Sequence, residues 1–64
     1  MDPSEVLEQA RLAARRDGKA RYVVVVEDKY GWRPPELRLV DVEPTCEHVR
    51  VEPGGRAVMV YLPA

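Results

Sequence analysis

The segment Thr45-Cys46-Glu47-His48 holds the side chains best suited to metal binding or nucleophilic catalysis. Cys46 and His48 are the only cysteine and the only histidine of the chain. A zinc site needs about four ligands, usually as two pairs, so only a symmetric dimer would supply two of each. On one strand the two Cβ atoms would be about 7 Å apart, too far for easy proton transfer. We therefore predict no metal site, and a metal-binding or accessory catalytic role of this pair is the third of three hypotheses.

Other catalytic patterns are not recognisable in this composition. The chain has one serine, one threonine and one histidine, and it shows no glycine-rich phosphate loop, no His-x-x-x-His pair and no Ser-His-Asp set. Its carboxylates near residues 43 to 52 fall on alternate strand positions, which is typical of a solvated face. We predict that the protein is not an enzyme, has no catalytic residues and uses no cofactor.

Two groups of residues have the chemistry to bind nucleic acid. A basic cluster surrounds the end of a predicted helix, and the loop from Asp28 to Glu36 places two aromatic rings beside two cations. An aromatic ring can stack on a base, and a cation can pair with a phosphate. The candidate contacts are Arg11, Arg15, Arg16, Lys19, Arg21, Tyr30, Trp32 and Arg33.

Both groups also have a structural interpretation. Basic residues in a last helical turn complement the helix dipole, and a lone tryptophan in a chain without phenylalanine often folds back as a lid on a small core. The formal net charge is -1 and the isoelectric point is about 5.7, whereas nucleic-acid binders are usually basic. Nucleic-acid binding is therefore the second hypothesis, and a structural role for Trp32 is favoured.

The helix that carries the basic cluster is well specified by local signals. Asp2 can cap it, Pro3 suits its first position, and Gly18 suits the residue after its end. At 100° per residue the apolar side chains form a narrow stripe of Val6, Leu7, Ala10, Ala13 and Ala14. Because three of these five are alanines, we expect the helix to lie close to a sheet.

Four strands are predicted after the helix, over residues 21 to 27, 37 to 43, 48 to 52 and 56 to 62. The segments 22 to 26 and 57 to 62 are apolar at every position, and such strands belong at the centre of a sheet. Joining two hairpins through these central strands gives the order 2-1-4-3. The predicted fold is α+β, with the helix on one face of a four-stranded antiparallel sheet.

The opposite face of that sheet has no covering element in a chain of this length. An apolar face left in water usually marks an interaction site, and a second copy is the simplest cover. The leading hypothesis is a non-enzymatic module that forms a homodimer or binds a protein partner through this face. Its predicted interface consists of Tyr22, Val24, Val26, Val58, Val60 and Leu62. The sequence leaves open which face the helix covers, and the alternative uncovered face carries Val23 and Val25 of the first strand.

Length and composition set the broad class. A chain of 64 residues makes one domain, residues 1 to 64, with marginal stability unless a partner adds to it. One cysteine excludes an internal disulfide, and neither a signal peptide nor an apolar run of about 18 residues is present. We expect a cytoplasmic protein without membrane contact. Eight arginines against two lysines and an absence of asparagine favour a GC-rich or thermophilic bacterial source.

Overall fold

The computed structural model describes residues 2–61 and has an α+β fold. One helix, α1, runs over Pro3–Asp17. The four strands are β1 (Arg21–Val26), β2 (Glu36–Val40), β3 (His48–Val51) and β4 (Ala57–Val60). The prediction of one helix packed on a four-stranded antiparallel sheet is confirmed, although every strand is shorter than predicted.

Helix α1 begins and ends at the residues that its local signals indicate. The Asp2 side chain accepts a hydrogen bond from the Ser4 backbone N–H at 3.0 Å, and Pro3 occupies the first turn. Gly18 ends the helix in the left-handed region at φ 67°, where a side chain would be strained. These contacts are local, so they operate before any tertiary structure forms.

The strand order is β2-β1-β3-β4, with every neighbouring pair antiparallel. The predicted order 2-1-4-3 is wrong, because β3 and not β4 pairs with β1, in a register that aligns Val23 with Val49. The prediction took apolar composition as a sign of a central position. The pattern of apolar and polar residues along a strand shows which of its two faces is buried. The place of the strand in the sheet depends instead on which backbone groups pair. The doubly apolar strand β4 is therefore an edge strand.

The core lies between α1 and one face of the sheet, called here the helix face. Val6 and Ala10 of the helix pack with Val23 and Val51 of the sheet, and all four are buried. Leu7, Leu37, Leu39 and Val49 surround this cluster. The small Ala10 and Ala14 side chains are fully buried, which lets the helix backbone approach the strands. No helix in the described part of the chain is long and apolar enough to cross a membrane.

Candidate interaction surfaces

The sheet face opposite the helix, called here the open face, carries the predicted interface. Paired residues of antiparallel strands project to the same side, and the register aligns Tyr22 with Val40 and Arg50, and Arg50 with Val58. The open face is therefore formed by Tyr22, Val24, Val26, Glu36, Arg38, Val40, His48, Arg50, Val58 and Val60. Leu62, the remaining residue of the predicted interface, lies outside the described residues.

The apolar residues of the open face form two patches, Tyr22, Val24, Val26 and Val40 on β1 and β2, and Val58 and Val60 on β4, with His48 and Arg50 of β3 between them. Their side chains are half-buried by one another, and no element of residues 2–61 covers them. Charged residues lie between and beside these patches. Arg50, whose guanidinium is 3.5 Å from the Glu52 carboxylate, lies in the row between Tyr22 and Val58, and Glu36 and Arg38 lie on β2.

His48 is a buried part of the open face and is 5% exposed. Its ring meets the Tyr22 ring edge-on, with centroids 5.4 Å apart and planes at 78°. His48 Nδ1 lies 2.8 Å from the Cys46 carbonyl oxygen, and since a carbonyl only accepts, Nδ1 carries the proton. His48 therefore contacts Cys46 through the backbone carbonyl of Cys46 and not through its thiol. Among residues 2–61, no three His, Cys, Asp or Glu side chains cluster where they could hold a metal ion.

The helix face is only partly covered, which the sequence did not indicate. Among the described residues, α1 contacts β1, β2 and β3 but not β4. Beside the helix lies an apolar groove of about 490 Å³, lined in part by Leu7, Val25, Leu37 and Met59. Val25 is 56% exposed and Met59 is 52% exposed, although both belong to the same face as the buried Val23.

The basic cluster at the end of α1 is largely paired within the chain. Asp17 contacts both Arg16 and Arg21, and the hydrogen bond from Arg16, with the nearby Arg21 charge, lowers the pKa of Asp17. Arg11 lies 3.8 Å from Glu8 and donates a hydrogen bond from Nε to the Gly55 carbonyl at 3.3 Å. Within residues 2–61, the cations of this cluster without an ion pair are Arg15 and Lys19.

The aromatic loop between β1 and β2 has an internal frame built on Asp28. Its carboxylate accepts backbone N–H groups of Tyr30 at 3.2 Å, Trp32 at 3.1 Å and Arg33 at 3.1 Å. Gly31, at φ 70°, lets the chain turn tightly enough for these bonds. Trp32 is 88% exposed, so the expectation that it folds back as a lid on the core is wrong.

The aromatic loop and the basic cluster lie at opposite ends of the sheet. Arg21 begins β1 and the loop follows Val26 at its end, a separation of about 17 Å at about 3.3 Å per residue. Pro3, at the acidic start of the helix, lines a crevice with Pro34 and Pro35 of the loop. The two groups therefore do not form one continuous surface, as a single nucleic-acid interface made of both would require.

Two functional features escaped sequence reasoning. The groove depends on how far the helix extends over the sheet, and this has no local sequence signal. The hydrogen-bonded frame of the loop did have a local sequence signal, because an aspartate three residues before a glycine is typical of a turn that its own carboxylate stabilises.

Comparison with protein-family models, with curated proteins and with solved structures finds no match to this chain.

Proposed function

We propose that this protein is a non-enzymatic interaction module that forms a homodimer or binds a protein partner through the open face. The observation that supports the proposal is the uncovered apolar surface of Tyr22, Val24 and Val26 on β1 and of Val58 and Val60 on β4, with the only helix of the described residues on the other side of the sheet. Apolar surface buried against a partner gains about 25 cal/mol per Å². Such a gain matters to a domain whose own core contains few fully buried side chains.

The open face can be tested by placing a charge on it without harming the monomer. Val24 lies opposite Arg38 in the β1–β2 register, so Val24→Glu puts a carboxylate beside a guanidinium in the free protein. Burying that charge in an apolar interface would cost several kcal/mol. The matched control is Val25→Glu, which adds the same charge to the adjacent residue on the opposite face, where the side chain is 56% exposed.

The measurement is molar mass by light scattering after size exclusion, over concentrations reaching well below micromolar. If the chain associates with itself through the open face, the wild type and Val25→Glu have a molar mass near twice 7.3 kDa, and Val24→Glu has one near 7.3 kDa with unchanged circular dichroism. If both variants dissociate equally, the open face is not the self-interface. If the wild type is monomeric at every concentration, self-association is excluded and only the protein-partner form of the proposal is left.

A second candidate function is binding of single-stranded nucleic acid by the aromatic loop. It is favoured by the exposure of Trp32, whose ring centroid is 6.3 Å from that of Tyr30, and by the cations Lys29 and Arg33 beside them. Stacking of one base on an aromatic ring contributes about 1–3 kcal/mol. Fluorescence of Trp32, the only tryptophan, would then be quenched by an oligonucleotide at low salt and recover at high salt.

The control for this candidate removes an exposed aromatic ring outside the loop. Binding of a labelled oligonucleotide, followed by its anisotropy, should weaken at least tenfold in Trp32→Ala and stay unchanged in Tyr61→Ala, whose ring is 67% exposed. A flat titration of the wild type at low salt would exclude the candidate.

A further inference from the structure

The outer edge of β4 is an apolar strand edge without protection. Ala57–Val60 contains no charged residue and no proline, and within residues 2–61 the strand has one neighbour, β3. Natural edge strands usually carry charges, prolines or bulges that prevent pairing with another chain. Strand β4 instead has the composition of a central strand, apolar on both faces.

The backbone groups that point outward from β4 follow from the phase of its ladder with β3. The Glu52 N–H donates to the Arg56 carbonyl at 2.8 Å, so this pair is a hydrogen-bonded one. Hydrogen-bonded and non-hydrogen-bonded pairs alternate in an antiparallel ladder, which directs the N–H and C=O groups of Val58 and Val60 to β3. The corresponding groups of Ala57 and Met59 therefore point away from the sheet.

The other edge of the sheet, formed by β2, is protected against pairing with another chain. Strand β2 carries Glu36 and Arg38, and it follows directly after Pro34 and Pro35. Charges and prolines are the features that block edge pairing. Each chain thus has one protected and one unprotected edge, so pairing through the unprotected edges closes after two copies and does not continue into a fibre.

We propose that two copies of this chain pair antiparallel through β4, forming one eight-stranded sheet with the order β2-β1-β3-β4-β4-β3-β1-β2. A twofold axis perpendicular to the sheet at Met59 places Met59 opposite its counterpart, and Ala57 of each copy opposite Tyr61 of the other. Outward N–H and C=O groups then bond reciprocally. Both helices lie on the same side of the sheet, because residues opposed in an antiparallel pair share a face.

A second copy fits this edge better than an unrelated strand for two reasons. Its β4 is also uncharged and apolar on both faces, so the apolar patch of Val58 and Val60 continues across the axis into the same patch of the second copy. Antiparallel pairing also keeps the two copies of Arg56, the cation next to the strand, about 20 Å apart, whereas a parallel arrangement would place them side by side.

Edge pairing also enlarges the open face, a surface distinct from the edge itself. Four strands about 4.8 Å apart and, at four to six residues each, about 16 Å long on average give one sheet a face of about 300 Å². A stable interface buries about 800 Å² on each partner. Two sheets joined through β4 present about 600 Å², which is closer to that area than the face of one sheet.

The test removes an outward N–H group without touching the β3–β4 ladder. Met59→Pro deletes one outward donor, and proline is tolerated at an edge position whose N–H faces solvent. Met59→Lys adds a charge at the same position. Its matched control, Leu12→Lys, adds the same charge at an apolar helix residue that is 59% exposed, against 52% for Met59.

Two readouts are needed, molar mass by light scattering and amide hydrogen exchange by NMR. We expect a dimer for the wild type and Leu12→Lys, and a folded monomer for both Met59 variants. In the wild-type dimer the Ala57 and Met59 amides should exchange at least about tenfold more slowly than after dilution to the monomer. A dimer whose outward amides are unprotected would overturn the proposal, as would a wild type that stays monomeric.

The outcomes separate this proposal from the one for the open face. If two copies pair through β4, Val24→Glu stays dimeric and the open face is left for the protein partner of the proposed function. If two copies pair face to face, the Met59 variants stay dimeric. If Met59→Pro does not fold, Met59→Lys and the amide exchange of the wild type decide. A Met59→Lys protein that remains dimeric, together with fast exchange at Ala57, would refute pairing through β4.

Discussion

The substitution Val51→Ala tests whether the core is centred where the structure places it. Val51 is fully buried in the cluster with Val6, Ala10 and Val23, between α1 and the sheet. The change removes two methyl groups, each contributing about 0.8 kcal/mol of transfer free energy. A cavity term of about 24 cal/mol per Å³ over about 50 Å³ adds about 1.2 kcal/mol. We therefore expect the free energy of unfolding to fall by about 2–3 kcal/mol.

This loss is large for a domain of this size. At about 0.05–0.15 kcal/mol per residue, the whole chain is stable by about 3–10 kcal/mol. For a domain of about 60–100 residues, 1 kcal/mol shifts the thermal midpoint by about 4–8 °C, so Val51→Ala should lower it by about 10–20 °C. The assay is thermal unfolding followed by circular dichroism, with every protein at one concentration because self-association also raises stability.

The control for this prediction is Val25→Ala, the same chemical change on the same face of the sheet. Val25 is 56% exposed beside the groove, so its truncation should cost about 0.5 kcal/mol or less. Equal shifts of the thermal midpoint in the two variants would refute the argument, because they would mean that the helix does not cover Val51 in preference to Val25.

Two further predictions concern the capping carboxylate and the aromatic loop. Hydrogen bonds from the Ser4 backbone N–H and hydroxyl lower the pKa of Asp2 below its ordinary value of 3.8. The ionised carboxylate therefore stabilises the folded protein above pH 3.8, and this stabilisation is lost as the pH falls through the lower pKa of the folded state. Asp2→Ala should therefore lower the thermal midpoint at pH 7, and its difference from the wild type should shrink in acid. Asp2→Asn should keep most of the cap. A difference between Asp2→Ala and the wild type that does not change with pH would contradict this. Asp28→Ala should lower the fluorescence anisotropy of Trp32 by releasing the backbone N–H groups that hold the loop, with Asp28→Asn intermediate and the unfolding midpoint nearly unchanged. Unchanged anisotropy would show that Asp28 does not order the loop.

The sequence by itself determined the features that depend on neighbouring residues. Asp2, Pro3 and Gly18 act within one turn of the helix ends, so the bounds of α1 could be predicted. Alternation along a strand is equally local, and it correctly grouped Tyr22, Val24 and Val26 on one face. That grouping, with Val58 and Val60, defines the candidate site, although its role as an interface is still a prediction.

Only the tertiary structure decided which strand lies beside β1 and how far the helix covers the sheet. Backbone N–H and C=O groups are the same in every residue except proline, which neither strand contains, so composition could not distinguish β3 from β4 as the neighbour of β1. The helix extends over Val51 but leaves Val25 and Met59 exposed, which depends on packing between segments far apart in the chain. The exposure of Trp32 is a different case, because the Asp28 carboxylate holds the loop backbone through local hydrogen bonds whose sequence signal was overlooked.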